Sequence, residues 1–575
     1  MPGNRRDRRA ALAGKAPSST NADQVRATLG QAVRLHQAGK LQQAVTFYEQ
    51  ALALDPGIPE ALSNLALALK ALGRADDAIA RCEQALKLKP DAPEILLNLG
   101  MLLRDKRRSK EAAALYRRAL GVRPNDATLL SNLGNALKDQ GEFDEAIACF
   151  GQALALRPNY RAALANLDNA LFDIHFSGRY GDESTLDAAR LYARYVETAR
   201  PANEFANVPD PERRLRVGYV SGDFRRHAVS YLFNGLITSL DHGEVEAYCY
   251  SNSTVDDDMT ALIRGAAHGF CTISGLSDAE AETIIRRDQI DILVDLSGHT
   301  VGNRLPLFAL KPAPVQVLTL GYLDTSGLAA MDYVITDRWV IPPEDETSYT
   351  EKVLRLPDAH FCFAPGTSDI PVTARPAGQP LTLGSFNNWA KSSETTLALW
   401  ARVMAEIPDS RLMLKSGRFD DPVLRSEAVG QLAAHGVSED RLIVEGFTCR
   451  EDLLAAYNRV DIGLDPFPYT GCTTTVEAVW MGVPVVTLRG KRSVARASEA
   501  ILTVVGRPDL VATDADSYVS IVKTLATDRA ALAEMHGELR AMMEASPICD
   551  CRRFARDTVR LYRQMWRTWC AGRQT

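Results

Sequence analysis

Residues 125–158 read NDATLLSNLGNALKDQGEFDEAIACFGQALALRP. The stretch reads as a helical hairpin that turns at Gly141 and closes on Pro158, and its register recurs upstream. Pro56, Pro90, Pro124 and Pro158 stand 34 residues apart. A period of that length identifies an array of helical hairpins. Ala44, Ala78, Ala112 and Ala146 fall where the two helices of a hairpin must approach closely, and Ala51, Ala85, Ala119 and Ala153 recur near the end of each unit. Gly39, Gly73 and Gly141 mark the turn, where glycine adopts a left-handed backbone at least cost. Arg107 takes the glycine's place in the third unit, so a less well-formed turn is expected there. An array of this kind holds other proteins and does no chemistry itself. About 400 residues follow it.

The pattern resembles the tetratricopeptide repeat (TPR), in units 23–56, 57–90, 91–124 and 125–158, with a closing helix from Asn159 to about Ile174. One more column keeps the step: Asn64, Asn98, Asn132 and Asn166. Asparagine is an indifferent helix former, and its amide both donates to and accepts from a peptide backbone. Two readings stand side by side: a peptide-binding ladder along the groove, or structural hydrogen bonds inside the repeats.

Composition narrows the remainder. The net charge of −6 and pI near 5.9 argue against nucleic acid as a partner. Ten cysteines are scattered, and only Cys549 and Cys551 are close, so a zinc site is not expected. Reduced thiols and a cytoplasmic location are expected. No apolar run is long enough to span a bilayer. Residues 1–22 read as a disordered basic tail.

After a TPR array over 23–177, residues 178–211 read as a connector with one helical stretch near Leu186–Thr198. Short β-rich runs then alternate with helical ones. Arg216–Val220, Ile290–Leu296 and Val315–Leu320 read as buried parallel strands of a lobe spanning 212–374. Leu381–Phe386, Arg411–Lys415, Leu442–Val444, Asp461–Leu464 and Pro484–Leu488 read as strands of a second lobe, 375–575. Two such series imply two Rossmann-like halves around a cleft. No G-x-G-x-x-G follows a strand, so a redox dinucleotide is not supported.

Ligands in such sheets bind beyond the carboxyl ends of strands, at helix N-termini. Asp465-Pro466-Phe467-Pro468-Tyr469-Thr470-Gly471-Cys472-Thr473-Thr474-Thr475-Val476-Glu477 leaves a strand and opens a helix. Thr473, Thr474 and Thr475 offer hydroxyls and first-turn amides, a receptor for a diphosphate that needs no metal. Glu477, one turn in, is placed to accept from a ribose diol. Ser385-Phe386-Asn387-Asn388-Trp389-Ala390-Lys391 makes a similar exit from another strand. A lysine beside a helix N-terminus meets positive charge already there, and a bound diphosphate would resolve the conflict. The run Asp256-Asp257-Asp258 reads as a solvated turn rather than a metal motif.

From about Arg213 to Gly572 the chain resembles the protein O-GlcNAc transferase family, glycosyltransferase family 41. The resemblance rests on Gly218-Tyr219-Val220-Ser221-Gly222-Asp223-Phe224 with His227, on Pro312-Ala313-Pro314-Val315-Gln316, on Gly321-Tyr322 through Asp332-Tyr333, and on the two segments above. Ser297-Gly298-His299-Thr300 and Leu464 through Tyr469 are closer to its SPINDLY branch, which includes O-fucosyltransferases that use GDP-fucose. The resemblance implies an α plus α/β chain: a TPR superhelix, then a GT-B fold with two Rossmann-like lobes. It implies an inverting glycosyltransferase with a nucleotide-sugar donor (UDP-GlcNAc, or GDP-fucose), no cofactor or metal, and protein substrates held by the TPR groove. By the same resemblance Lys391 neutralises the leaving diphosphate and Asn388 lies near the nucleotide. Cys472, Thr473 and Thr474 form the phosphate turn, Glu477 meets the ribose, and the asparagine column binds peptide. Arg496 matches a family arginine without an assigned role. His227 matches a histidine near sugar and acceptor; by residue type His227 and His299 are both candidate bases. Cys472 stands where the family usually has histidine or threonine.

Overall fold

The computed structural model describes residues 19–197, 204–365, 370–374 and 378–573. Contacts divide the chain into two units, one up to Ala170 and one from Leu171. Residues 1–18 of the expected tail lie outside the described residues, and residues 19–22 already belong to the helix Ser19–Gln37.

The first unit is a run of antiparallel hairpins: Ser19–Gln37 with Leu41–Leu54, Pro59–Ala71 with Ala75–Leu88, Pro93–Asp105 with Ser109–Val122, and Ala127–Lys138 with Phe143–Leu156. Both alanine columns are completely buried. Helices therefore pack closely at those rungs, where a larger side chain would push them apart. Pro56, Pro90, Pro124 and Pro158 follow the second helix of each hairpin, where a helix cannot continue. Gly39, Gly73 and Gly141 have φ of 71°, 77° and 76°. Arg107 has φ 60° and makes the same turn. Its N–H donates to Arg104 O and the next N–H to Leu103 O, both at 2.8 Å, as at Gly73 and Arg74. The turn is thus fully formed, contrary to expectation, and the departure is confined to backbone strain of about 1 kcal/mol at one residue.

The second unit holds two parallel sheets. The first comprises β1 (Leu215–Ser221), β2 (Val245–Ser251), β3 (Gly269–Thr272), β4 (Ile292–Asp295), β5 (Val315–Leu318), β6 (Tyr333–Thr336) and β7 (Lys352–Arg355), in the order β3-β2-β1-β4-β5-β6-β7. The second comprises β8 (Thr382–Ser385), β9 (Arg411–Lys415), β10 (Leu442–Glu445), β11 (Ile462–Leu464), β12 (Val485–Leu488) and β13 (Val511–Ala512), in the order β10-β9-β8-β11-β12-β13. Helical segments connect successive strands in each sheet, except that β5 runs to β6 through residues 319–332 without one, and the two sheets make the GT-B pattern of two Rossmann-like lobes. Each sheet reverses its winding once, between β1 and β4 and between β8 and β11. Those two points are where a doubly wound sheet opens a crevice for ligand.

The helical stretch expected in the connector is the helix Asp182–Val196, which begins four residues earlier than expected and buries Leu186, Ala188, Ala189, Tyr192 and Ala193. A Cβ on Gly327 would lie 2.4 Å from the Ala189 carbonyl carbon, which shows how tightly that helix is seated. One expectation is corrected: residues 375–575 do not form one lobe. The helix Cys551–Arg573 returns to the first lobe, with Ala555, Tyr562, Met565, Trp566 and Cys570 in the core beneath β1, β4 and β5. Its apolar face matches that sheet's exposed side, and burial there outweighs proximity in sequence. The expected lobe boundary at residue 375 lies outside the described residues.

Candidate active site

The loop that leaves β11 is organised by Asp465, which is buried. Its Oδ1 accepts from Gly471 N at 2.8 Å and its Oδ2 from Thr487 Oγ1 at 2.7 Å. Burial raises its pKa, and these hydrogen bonds oppose the rise. The hydroxyls of Ser393 and Thr396 both donate to Phe467 O at 2.5 Å, and Ser498 Oγ donates to Gly471 O at 2.9 Å. The loop is therefore anchored to the helices that begin at Glu394 and Ala497. Gly471 is required sterically, since a Cβ there would lie 2.4 Å from Thr475 Oγ1 and 2.7 Å from Thr474 Oγ1.

The helix Thr473–Trp480 follows with Cys472 as its N-cap, and no side chain caps it. Thr475 N and Val476 N donate back to Cys472 O at 3.1 and 3.0 Å. The amides of Thr473 and Thr474 have no acceptor within the helix, which leaves two donors at its positive end. Thr474 Oγ1 donates to Asn387 Oδ1 at 2.9 Å, so the two strand-exit loops touch. Thr475 departs from expectation. Its hydroxyl is buried against Ser498 Oγ at 2.8 Å, and its N–H is taken, so it braces the turn and presents no group at the tip. Burial pushes the Cys472 thiol up to about 12, against the pull of Lys391, so it stays protonated near neutrality.

Lys391 ends the short helix Trp389–Lys391 after β8. Its Nζ donates to Thr470 O at 2.7 Å and lies 4.0 Å from the centre of the Tyr469 ring. The carbonyl and the ring face hold the cation at the threonine turn. Burial pushes its pKa down to about 8, opposed by Asp465 and Cys472. Asn388 is exposed, and its Oδ1 caps the same short helix by accepting from Ala390 N at 3.1 Å.

Glu477 is buried and ion-paired with Arg450, whose Nη1 stands 2.5 Å from Oε1. Burial raises its pKa, and Arg450 opposes the rise. The Arg450 guanidinium also lies 3.6 Å from the centre of the Tyr231 ring, on the first lobe's helix Ala228–Ile237. The two lobes meet at this cation. His227 caps that same helix, its Nδ1 accepting from Val229 N at 3.3 Å with Asp223 Oδ2 3.4 Å away. Burial lowers its pKa, with Asp223 opposing. His299 is buried, with Nε2 at 3.1 Å from Ser326 O and its ring edge-on to Tyr192 and Tyr322. That leaves it a structural histidine rather than a base. Arg496 donates to Gly490 O at 3.0 Å and pairs with Asp345 Oδ2 at 2.5 Å, tying its segment to the turn after β6.

The structure thus brings Lys391, Cys472, Thr473 and Thr474 together, with Glu477 one turn below. Asp465, Tyr469, Asn387 and Arg450 complete the cluster but were not singled out from sequence. Asp465 is signalled by an acid closing a buried strand. Arg450 carries no such signal, because its partner is 27 residues away on another helix. The run 256–258 is accounted for by structure: Asp257 caps a helix, Asp256 pairs with Arg264 and Asp258 with Arg226. Among the described residues no group of His, Cys, Asp and Glu is arranged to hold a metal ion.

In the array, Asn64, Asn98, Asn132 and Asn166 are all half-buried. Asn98 Nδ2 donates to Ser63 Oγ at 2.9 Å, and Asn166 Nδ2 to Ser131 Oγ at 3.2 Å, one repeat back in each case. Asn132 Nδ2 donates to Thr128 O at 2.9 Å. The amide nitrogens of Asn98, Asn132 and Asn166 therefore carry structural bonds, the plainer of the two readings, while their side-chain carbonyls remain acceptors.

The description "Glycosyl transferase family 41" matches residues 194–364 and 372–558, and tetratricopeptide descriptions match 34–73, 63–127 and 127–160. The chain belongs to glycosyl transferase family 41. A solved Thermobaculum terrenum O-GlcNAc transferase, a lysine-to-methionine mutant, is 36% identical. It covers 89% of this chain, which covers 98% of it, with a TM-score of 0.70. A Petunia hybrida protein named "Probable UDP-N-acetylglucosamine--peptide N-acetylglucosaminyltransferase SPINDLY" is 36% identical over 68% of this chain and 43% of its own length. The corresponding Arabidopsis thaliana protein named SEC is 29% identical over 63% of this chain and 38% of its own length. The chain spans less than half the length of these two relatives.

Proposed function

We propose that this family 41 protein transfers a sugar, GlcNAc from UDP-GlcNAc, to serine and threonine hydroxyls of proteins held by its repeat array, with inversion and without a metal ion. The observation that carries this is a cation, Lys391, fixed by Thr470 O beside the two open amides of Thr473 and Thr474. Charge builds on the departing β-phosphate as the acceptor hydroxyl attacks the anomeric carbon from the opposite face. A preorganised cation and amides meet that charge without reorganising, a contribution of roughly 3–4 kcal/mol for one such donor. The relatives' names supply the donor and acceptor classes.

In this reading Glu477, held by Arg450, orients the ribose, and Asn388 flanks the nucleotide. His227, at the start of the first lobe's helix Ala228–Ile237, is the candidate to receive the acceptor proton. Burial keeps it neutral at physiological pH, as a base requires. Arg496 keeps its segment closed against Asp345. In the array, the asparagine carbonyls accept from an extended peptide.

GDP-fucose is the second donor in view, because Ser297-Gly298-His299-Thr300 follows the SPINDLY wording. A thermal-shift panel of UDP, GDP, UDP-GlcNAc and GDP-fucose in EDTA separates the readings. A ligand that binds only the folded state at a hundred times its Kd adds about 2.7 kcal/mol. A shift with UDP and UDP-GlcNAc supports the proposal, and a shift with the guanine pair moves it to fucose. No shift with any of them would leave the repeats as a scaffold with a vestigial transferase. Asn98→Ala with Asn132→Ala should weaken transfer to whole proteins and spare short peptides; equal loss on both would make the column purely structural.

A further inference from the structure

Two chain segments cross between the lobes, and they run side by side. One lies between β7 and β8, the other between the helices Arg529–Ala545 and Cys551–Arg573. Phe363 N donates to Ile548 O at 2.8 Å, which binds one crossing to the other. In the first crossing Phe361 and Phe363 pack into the second lobe's core, while Cys362 between them packs into the first. In the other, Ile548 belongs to the second core and Cys551 rests on the first. Both cysteines sit where a crossing changes core, and both touch Gly235 of the helix Ala228–Ile237. A Cβ on Gly235 would lie 2.7 Å from Cys551 Sγ and 2.8 Å from Cys362 Sγ, so the two sulfurs share one small space that only glycine leaves open.

We propose that Cys362 and Cys551 are a modification site: a thiol pair that a hydroperoxide converts to a disulfide, joining the two crossings covalently. Three features fit them to separate roles. Cys551 is half-buried and is the first residue of a 23-residue helix, whose positive end favours its thiolate. A hydrogen bond from Cys362 holds the Cys551 pKa below the ordinary thiol range. Cys362 is fully buried, with its own pKa raised by that bond and by burial, so the oxidant meets Cys551 first. Cys549 is two residues from Cys551, and burial pushes its thiol up to about 12.

The chemistry balances. The Cys551 thiolate attacks one peroxide oxygen, the O–O bond breaks, and the released hydroxide leaves as water after taking a proton; Cys551 is now a sulfenic acid. Cys362 sulfur attacks the sulfenic sulfur, the S–O bond breaks, and the departing hydroxide takes the Cys362 proton. Two thiols and one hydrogen peroxide give one disulfide and two waters.

The test uses the full chain, reduced and then treated with hydrogen peroxide in small excess. Free thiols are alkylated, the chain is digested without reductant, and peptides are mapped by mass spectrometry. The expected product is a cross-link between the peptide holding Cys362 and the one holding Cys551. It should disappear with dithiothreitol, persist in Cys549→Ser and be absent in Cys551→Ser. The wild-type map decides the matter even if a variant folds poorly. A Cys549–Cys551 bridge, Cys551 oxidised only to sulfinic or sulfonic acid beside an alkylated Cys362, or no loss of thiols would each overturn the proposal.

Discussion

The two lobes are wound alike yet treat the crevice at their switch points differently. In each, the strand on the far side of the switch closes on or runs straight into a buried aspartate that folds the following loop around itself. Asp295, closing β4, accepts from Ser297 N at 3.1 Å and Gly298 N at 2.8 Å. Asp465, following β11, accepts from Gly471 N and from Thr487, and the helix beyond opens with two amides, Thr473 and Thr474, that have no acceptor within it. The near-side loops differ in how their charges are held. The loop after β1 carries Asp223, paired with Arg225 at 3.0 Å and beside His227, while the loop after β8 carries Lys391, held by a carbonyl and a ring face. One scaffold thus yields a crevice with a paired acid and an imidazole, and another with a cation and open amides. On the proposed function, loop chemistry more than topology decides which lobe receives a diphosphate.

The harshest test of that contrast is Lys391→Ala. Turnover should fall by roughly 10²–10³ while circular dichroism is unchanged. The folded pKa of about 8 lies below the ordinary lysine value of about 10.4. The unfolded state therefore binds more protons between those values, and the folded state's penalty is complete below pH 8. At neutral pH the variant's Tm should equal or exceed wild type; activity close to wild type would remove Lys391 from the reaction.

A second test sets the two aspartates against each other. Asp465→Asn and Asp295→Asn should each cost about 1–3 kcal/mol in urea unfolding. Only Asp465→Asn should also weaken donor binding, by about tenfold in Kd. Equal donor affinities in the two variants would erase the distinction between the lobes. A third follows from charge. The ligand-free lysine loses its proton as pH rises through about 8, so kcat/KM for the donor should fall about tenfold per pH unit above it. A flat profile to pH 9.5 would contradict this. The smallest effect calibrates backbone strain where no ligand is involved: Arg107→Gly should stabilise the array by about 1 kcal/mol, read as a rise in its unfolding midpoint.

The array was legible in full because a period fixes many positions at once; even the Arg107 turn was located, though not its conformation. Strands with continuous apolar runs, such as β4 and β5, were legible to within two residues at either end. β2, which alternates partly exposed with buried positions, β3, half exposed along its length, the four-residue β6 and β7, and the two-residue β13 were not. The threonine turn could be placed from Gly471 and the strand before it. That Thr475 faces inward could not, because it depends on Ser498, 23 residues away. The return of Cys551–Arg573 to the first lobe is likewise a matter of which surface its apolar face meets, which no local pattern encodes.

The most direct measurement is calorimetric titration of UDP into the wild-type chain and into Lys391→Ala at pH 8.5 with EDTA, repeated in two buffers of different ionisation enthalpy. A diphosphate gripped by this lysine restores its proton, so wild type should bind with net proton uptake. The variant should bind more weakly and take up none. Binding of equal strength with equal proton counts in both proteins, or binding abolished by EDTA, would contradict a metal-free grip centred on Lys391.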